Sequence, residues 1–321
     1  MYIVSEEVCA EVFSRTDAFN AVEAVFASMA SGGARNFPVI RESLGYQDAI
    51  YGFKSGFDRA GLSLGLKSGG YWPGNASKGL TNHQSTVFLF DPDTGKLHAL
   101  VGGNYLTAIR TAAASAVSIA HLARDDVRVM GMLGAGHQST FQLRAALEQR
   151  SFEKVIGWNL NPESLERLRT VAGEAGLPFE SVEREQLGAE ADVIITITSA
   201  HEALLLNDWI KAGTHIACMG TDTVGKQEID AQIFARANVF TDEISQAITL
   251  GETQHAIAQK LIHENDITAI GDVINDAHPG RSNNDEVTVF DGTGVGLQDL
   301  AAASASLRAA IEQGKAVEIE L

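Results

Sequence analysis

With 321 residues, 20% charged and 45% hydrophobic, the chain can bury a large core, and its length suits one large domain or two of ordinary size. A formal net charge of −17 repels phosphate backbones and argues against nucleic acid as a partner, so any anionic ligand has to be held by a local cluster of cations. No apolar stretch is long enough to span a membrane, the acidic start MYIVSEEVCAEVF lacks the bases of a signal peptide, and two cysteines, Cys9 and Cys218, cannot build a disulfide framework; a reducing cytoplasm is the expected setting.

Taken in order, the first predicted element is a helix opened by Thr16-Asp17, with Phe19, Val22, Phe26 and Met29 at helical spacing and Gly32-Gly33 at its end. Residues 49–104 change character: AIYGFKSG, GLSLGLKSG and STVFLF are short, glycine-bounded and strand-like. FLFDPDTGKLHAL predicts a hairpin turning at Asp91-Pro92-Asp93-Thr94-Gly95. The first hundred or so residues thus read as a helix plus a mostly antiparallel sheet. An alanine-rich run without Gly or Pro, LTAIRTAAASAVSIAHLAR at 106–124, predicts a long helix.

Beyond it the pattern alternates. VRVMGML, KVIGWNL, DVIITIT, THIACMG, NVFTD and EVTVFDG read as strands; QSTFQLRAALEQR and NPESLERLRTVAGEAG read as helices, the second capped by Asn161 with Pro162 behind it. Alternation of this kind predicts a parallel sheet with helices on both faces. LQDLAAASASLRAAIEQG predicts a last helix stopping at Gly314. The expected fold class is α/β, a Rossmann-type parallel-sheet domain at 115–293 inserted into an α+β domain made of 1–114 and 294–321.

Within VMGMLGAGHQSTFQ, Gly134-Ala135-Gly136 follows a strand and precedes a helix, the context a dinucleotide fingerprint needs. The first glycine permits the turn, the second lets backbone approach a pyrophosphate resting on the helix N-terminus, and Ser139 takes the third glycine's place. His137 contributes its backbone amide, and Gln138 follows it. At the end of the next strand, GWNLNPES offers Asn159 to ribose hydroxyls and no Arg or Lys to a 2′-phosphate, which favours NAD(H) over NADP(H).

Four segments in order resemble the ornithine cyclodeaminase/mu-crystallin family: LTAIRTAAASA, GAGHQS, MGTDTVGKQEID and DGTGVGLQDLAAA. The resemblance covers nearly the whole chain. It implies an NAD(P)-binding homodimer whose first domain binds substrate and dimerises. Reductases, dehydrogenases, cyclodeaminases and ligand-binding crystallins all occur in that family.

The resemblance also implies roles. Arg110, placed by the sequence at the start of the long helix, holds a carboxylate or the cofactor's phosphates, with Thr111 beside it; a guanidinium forks well onto either anion. Lys67 contacts the substrate carboxylate and can move protons. Arg41 matches a substrate-carboxylate arginine, and His83 is either a further carboxylate ligand or a hydrogen-bonded sheet residue. Asp222, past the strand THIACMG, is the acid/base group that meets the substrate nitrogen, with Lys226 beside it on the cofactor side. Gln138 matches the family's glutamine and lines the pyrophosphate, while Thr198, Ser199, Met219, Gly220, Gly292 and Thr293 border the nicotinamide end. His255, His263 and His278 do not form a metal-ligand spacing, and no metal is expected.

The expected activity is that of an NADH-dependent imino-acid reductase, equivalently an amino-acid dehydrogenase, acting on a small anionic 2-imino acid; iminosuccinate, giving aspartate, is the favoured substrate. Alternatives are alanine dehydrogenase or ketimine reductase activity, a cyclodeaminase, which needs a further acid for the distal amine, and a crystallin-like NAD(P)H-dependent binding protein without turnover. Whether Asp222 or Lys67 handles the proton is open at this level.

Overall fold

A computed structural model describes residues 1–320 and divides into two compact units, Met1–Arg110 with the chain from Val295 onward, and Thr111–Gly294. In chain order the first unit has β1 (Tyr2–Val4), α1 (Glu6–Val12), α2 (Arg15–Ala30), β2 (Ala34–Asn36) and β3 (Ile40–Ser43). Next come β4 (Ile50–Asp58), β5 (Ser63–Tyr71), β6 (His83–Phe90), β7 (Leu97–Gly102) and α3 (Asn104–Leu122), the helix in which the division falls. The second unit continues with β8 (Val129–Leu133), α4 (Ser139–Leu147), β9 (Lys154–Trp158), α5 (Glu166–Glu174), β10 (Phe179–Ser181), α6 (Arg184–Glu190) and β11 (Val193–Thr196). It proceeds through β12 (His201–Leu205), β13 (His215–Cys218), β14 (Gln227–Ile229), β15 (Ala237–Thr241), α7 (Ile244–Leu250) and α8 (Thr253–Ala258). It closes with β16 (Ile267–Ala269), α9 (Ile270–Ile274) and β17 (Val287–Asp291), after which α10 (Gly296–Glu312) and β18 (Val317–Glu318) return to the first unit.

The first unit's sheet runs β18-β1-β7-β6-β5-β4-β2, with β3 also on β4. Its pairings are antiparallel except β1 on β7. The β6–β7 hairpin turns where the sequence predicts, because Asp91 Oδ1 accepts from the amides of Asp93 and Thr94, both at 2.9 Å. α10 lies across β4 and β5 at two glycines: a Cβ on Gly56 would stand 2.9 Å from Leu297 Cδ2, and one on Gly65 3.0 Å from Leu300 Cδ2. The first long helix is capped by Ser14, whose Oγ accepts from the Asp17 amide while Asp17 Oδ2 accepts from the Ser14 amide.

The second unit's main sheet, β10-β9-β8-β11-β13-β17-β15-β16, is parallel at every pairing. β11, β13 and β17 are buried at every position, as strands covered on both faces must be. The strand order reverses at β8, next to β11, and such a switch point is where open α/β sheets take ligands.

Two details depart from the sequence reading. α3 starts at Asn104, not at 106, because the Glu6 carboxylate, far away in sequence, accepts from the amides of Asn104 at 2.7 Å and Tyr105 at 2.9 Å. Arg110 therefore sits in the second turn rather than at the helix start. The strands β1, β2, β3, β10, β14, β16 and β18 carry two to four residues and, like β12, have no counterpart in the sequence reading. Cys9 and Cys218 are free and fully buried, one in each unit's core. Among the described residues no helix is long and apolar enough to cross a membrane.

Candidate active site

In the first unit, the sheet places Lys67 mid-strand on β5, and two helices bring its partners. Asp299, in the first turn of α10, accepts from Arg110 Nε through Oδ1 at 2.8 Å and lies 2.9 Å from Lys67 Nζ through Oδ2. Arg110 Nη1 also donates to Gln298 Oε1 at 2.7 Å, and Lys67 Nζ to Thr107 Oγ1 at 3.3 Å. Lys67, Arg110, Gln298 and Asp299 are all buried. A buried ion cluster of this kind is costly to desolvate and persists because Asp299 faces both cations.

Burial is the largest influence on Lys67 and pulls its pKa down to about 7; Arg110 and Lys54 push the same way, and Asp299 opposes them. His83, at the start of β6, is pulled down to about 4 by burial and by Lys67, Arg110 and Lys54. That shift favours a neutral imidazole at physiological pH. Asp299 is held below the usual carboxylate range: Arg110 and Lys67 outweigh the effect of burial. Arg41, on β3, is exposed. The sequence reading missed Asp299, Gln298 and Lys54, since nothing local marks a helix acid or a strand lysine as part of a distant cluster.

In the second unit, Gly134 has φ +110°, and a Cβ there would stand 2.6 Å from the Ile197 carbonyl oxygen, so only glycine fits. Gly136 is different: it is exposed, and an added Cβ would meet nothing within 4 Å. Its lack of a side chain answers no need of the protein's own packing, which is what a glycine kept for a ligand's approach looks like. Ser139, in the third glycine's place, is buried and donates to the Gly136 carbonyl at 2.7 Å. Gln138 Oε1 is buried without a hydrogen-bond partner, and the His137 side chain is exposed. Thr111, next to Arg110 on α3, is a half-buried helix residue.

Asn159 makes two hydrogen bonds within the protein. Its Oδ1 accepts from the Ala135 amide at 3.0 Å and its Nδ2 donates to the Asn161 carbonyl at 2.8 Å, so the side chain fixes the glycine loop. Asn161 is the cap expected, accepting from Glu163 N at 3.1 Å. The tip of β9 presents Asn159, Leu160 (87% exposed) and Asn161, none of them a cation. Arg184 stacks on Trp158 at 5.1 Å and donates to the Leu204 carbonyl.

Past β13, Asp222 Oδ1 pairs with Lys226 Nζ at 2.8 Å and accepts from Thr223 Oγ1 at 3.1 Å, while Lys226 also donates to the Gly220 carbonyl. The neighbouring loops are fastened by four buried carboxylates that the sequence reading missed. Glu228 accepts from the amides of Thr198 and Gly220 and from the Thr196 hydroxyl. Glu252 accepts from the amides of Glu228 and Ile229 and from the Thr221 hydroxyl; Asp291 accepts from the amides of Glu252 and Thr253. Asp242 accepts from the amides of Thr293 and Gly294 and from the Thr293 hydroxyl.

The backbone of several residues expected at the nicotinamide is hydrogen-bonded within the protein. A Cβ on Gly220 would stand 2.5 Å from Glu228 Oε1, and one on Gly292 2.6 Å from Met219 Sδ. The amides of Thr198, Gly220 and Thr293 serve these acids, and that of Gly292 serves the Cys218 carbonyl. They shape the loops; Met219 is buried with them, while Ser199 is exposed.

A parallel sheet with a Gly-x-Gly loop at its switch point, in one chain with a buried Lys–Asp–Arg cluster, defines a Rossmann-type α/β protein. Residues 1–313 match the profile of the ornithine cyclodeaminase/mu-crystallin family, and the chain belongs to that family. It is similar throughout to the iminosuccinate reductase of Paracoccus denitrificans, 59% identical over 321 residues and 100% of both chains. The crystal structure of the iminosuccinate reductase of Paracoccus denitrificans in complex with NAD+ superposes with a TM-score of 0.97, at 58% identity over 100% of this chain and 99% of that one. An archaeal alanine dehydrogenase dimer with bound NAD superposes at 0.93, with 29% identity over 100% of this chain and 99% of that one.

Proposed function

We propose that this protein is an NADH-dependent imino-acid reductase that converts iminosuccinate to aspartate, acting as a cytoplasmic homodimer. The buried Lys67–Asp299–Arg110 cluster carries the reading: it is a fixed cationic site whose lysine, at about 7, can both give and take a proton near neutral pH. Similarity to the Paracoccus denitrificans iminosuccinate reductase over the whole chain supports the substrate, and the NAD+ complex of that enzyme supports the cofactor. The alanine dehydrogenase dimer supports the assembly.

The residues present suit a dinucleotide. The Gly134–Gly136 loop, set by Asn159 and open at Gly136, would hold the pyrophosphate with Gln138, and the uncharged tip of β9 favours NAD(H) over NADP(H). When bound, NADH supplies the hydride that the imine carbon accepts. Arg110 and Lys67 hold the substrate carboxylate and thereby fix the imine's orientation. Lys67 Nζ delivers a proton to the imine nitrogen, and its charge loss is tolerated because burial already favours the neutral amine. Asp222, paired with Lys226, brings a carboxylate able to steady a positively charged iminium.

The test is NADH consumption with oxaloacetate plus ammonia, with pyruvate and glyoxylate as comparisons. Steady loss of NADH absorbance is expected. Ammonia release from a diamino acid with no net change in NADH, and no reductase activity, would overturn the reading in favour of a cyclodeaminase.

A further inference from the structure

Strand register defines what faces a ligand in the first unit. Residues directly opposite across a sheet point to the same side, and the face that carries Gly56 and Gly65 is the one α10 covers. On that face lie three adjoining rows across β3 to β6: Ser43, Ile50, Tyr71 and His83; then Arg41, Gly52, Gly69 and Ser85; then Lys54, Lys67 and Val87 on β4 to β6. The middle row has no side chain on its two central strands. A Cβ on Gly52 would stand 2.0 Å from the Ile40 carbonyl oxygen, and one on Gly69 2.2 Å from that of Gln84. These strands thus leave a bare strip with Lys54 and Lys67 along one edge, Tyr71 and His83 along the other, and Arg41 at one end.

Two lysines placed directly opposite each other on a sheet repel. The charged groups acting most on His83 are Lys67, Asp299, Arg110 and Lys54, three cations and one anion. Asp299 pairs with Arg110 and Lys67, and Lys54 also acts on it. Three cations grouped around one acid stand out in a chain with a net charge of −17 and suit an anionic ligand. None of the eleven positions in the three rows is acidic, so a ligand with a distal ammonium group would find no partner there.

We propose that Lys54 is a specificity-determining residue that holds the distal carboxylate of a short dicarboxylate imine lying along the Gly52–Gly69 strip, while Lys67 and Arg110 hold the carboxylate beside the imine carbon. The assignment rests on the imino-acid reductase reading and deepens it by naming the residue that selects the dicarboxylate. Lys54 acts through charge and reach, so arginine replaces it in part and an uncharged residue of similar length does not.

The experiment compares wild type, Lys54→Met and Lys54→Arg in NADH-dependent reduction of the imines formed from oxaloacetate and from pyruvate with ammonia. The ratio of kcat/KM for the four-carbon dicarboxylate over the three-carbon monocarboxylate is expected to fall roughly 30-fold in Lys54→Met, the loss of one charge-assisted contact, and to recover largely in Lys54→Arg. In parallel, the affinities of succinate and propionate are measured by calorimetry in the presence of NAD+; Lys54→Met is expected to weaken succinate selectively. An unchanged ratio in both measurements overturns the assignment of Lys54 while leaving the reductase reading intact. A wild-type protein that reduces neither imine fails the reductase reading itself, and selective loss of succinate binding in Lys54→Met would still support the dicarboxylate site.

Discussion

Lys67 Nζ and Asp299 Oδ2 stand 2.9 Å apart with both side chains buried, on a strand and a helix separated by more than two hundred residues. Asp299 also binds Arg110, so one carboxylate compensates two buried cations. Asp299→Asn leaves those cations facing each other. Its expected cost is roughly 3–5 kcal/mol of stability in the first unit, read from urea unfolding, because an uncompensated buried charge is far worse than an exposed one. A loss below about 1 kcal/mol, the range of exposed ion pairs, would mean that solvent reaches the cluster.

The proton role of Lys67 has a definite pH signature. A lysine depressed to about 7 is protonated below that pH and neutral above it. Imine reduction, which needs the donor protonated, is expected to be flat on the acid side and to fall as pH rises through about 7; aspartate oxidation by NAD+ is expected to rise over the same range. Lys67→Arg keeps a cation but removes a transferable proton, so kcat is expected to drop about 10²- to 10⁴-fold and the limb near pH 7 to vanish. A persisting limb would move the proton to another group, with Asp222 the first to examine.

The two glycines of the cofactor loop are expected to respond differently to alanine. Gly134→Ala forces a side chain into φ +110° and against the Ile197 carbonyl, which is expected to cost about 1–3 kcal/mol and to impair NADH binding with it. Gly136→Ala has open space, so thermal stability is expected to hold while NADH affinity falls. Equal NADH affinity in Gly136→Ala and wild type would show that no phosphate approaches this backbone.

Burial pushes Glu252 up to about 8, with Glu228 adding to the rise, and pushes Asp291 up to about 7. In the unfolded chain both titrate near about 4. The folded state therefore holds extra protons between about pH 4 and pH 8, and the stability they contribute is full at the acid end and is lost as pH rises through that window. Thermal unfolding is expected at a lower temperature at about pH 8.5 than at about pH 6. Glu252→Gln, which retains an oxygen for the Glu228 and Ile229 amides, is expected to reduce that difference. An undiminished slope in the variant would assign the effect to other groups.

The parallel sheet was legible because its strands are apolar runs and its first turn carries glycines whose spacing has a mechanical reason. Arg110 and Asp222 were singled out because they stand in segments resembling the family, and Lys67 because the resemblance supplies a matching lysine. Asp299 was not, although it lies inside one of those segments, since an acid in the first turn of a helix is ordinarily read as favouring the helix dipole. Glu228, Glu252, Asp242 and Asp291 were equally silent: each does its work by accepting from amides of loops distant in sequence, and no local pattern encodes those partners. The start of α3 differs from its sequence reading for the same reason, its cap being Glu6. Asn159 is read in the sequence by position alone, and only the folded turn reveals that its amide spans the loop.

Each unit carries one sealed thiol. Cys9 is raised to about 11 by burial and Cys218 well above its ordinary value by burial among Glu252, Asp291 and Glu228, so neither offers a thiolate to a reagent while its core stays closed. The molecule therefore contains two native clocks, one per core: the rate at which a disulfide reagent labels each sulfur reports how often that half opens, and a dinucleotide that tightens only the second half would slow labelling at Cys218 alone.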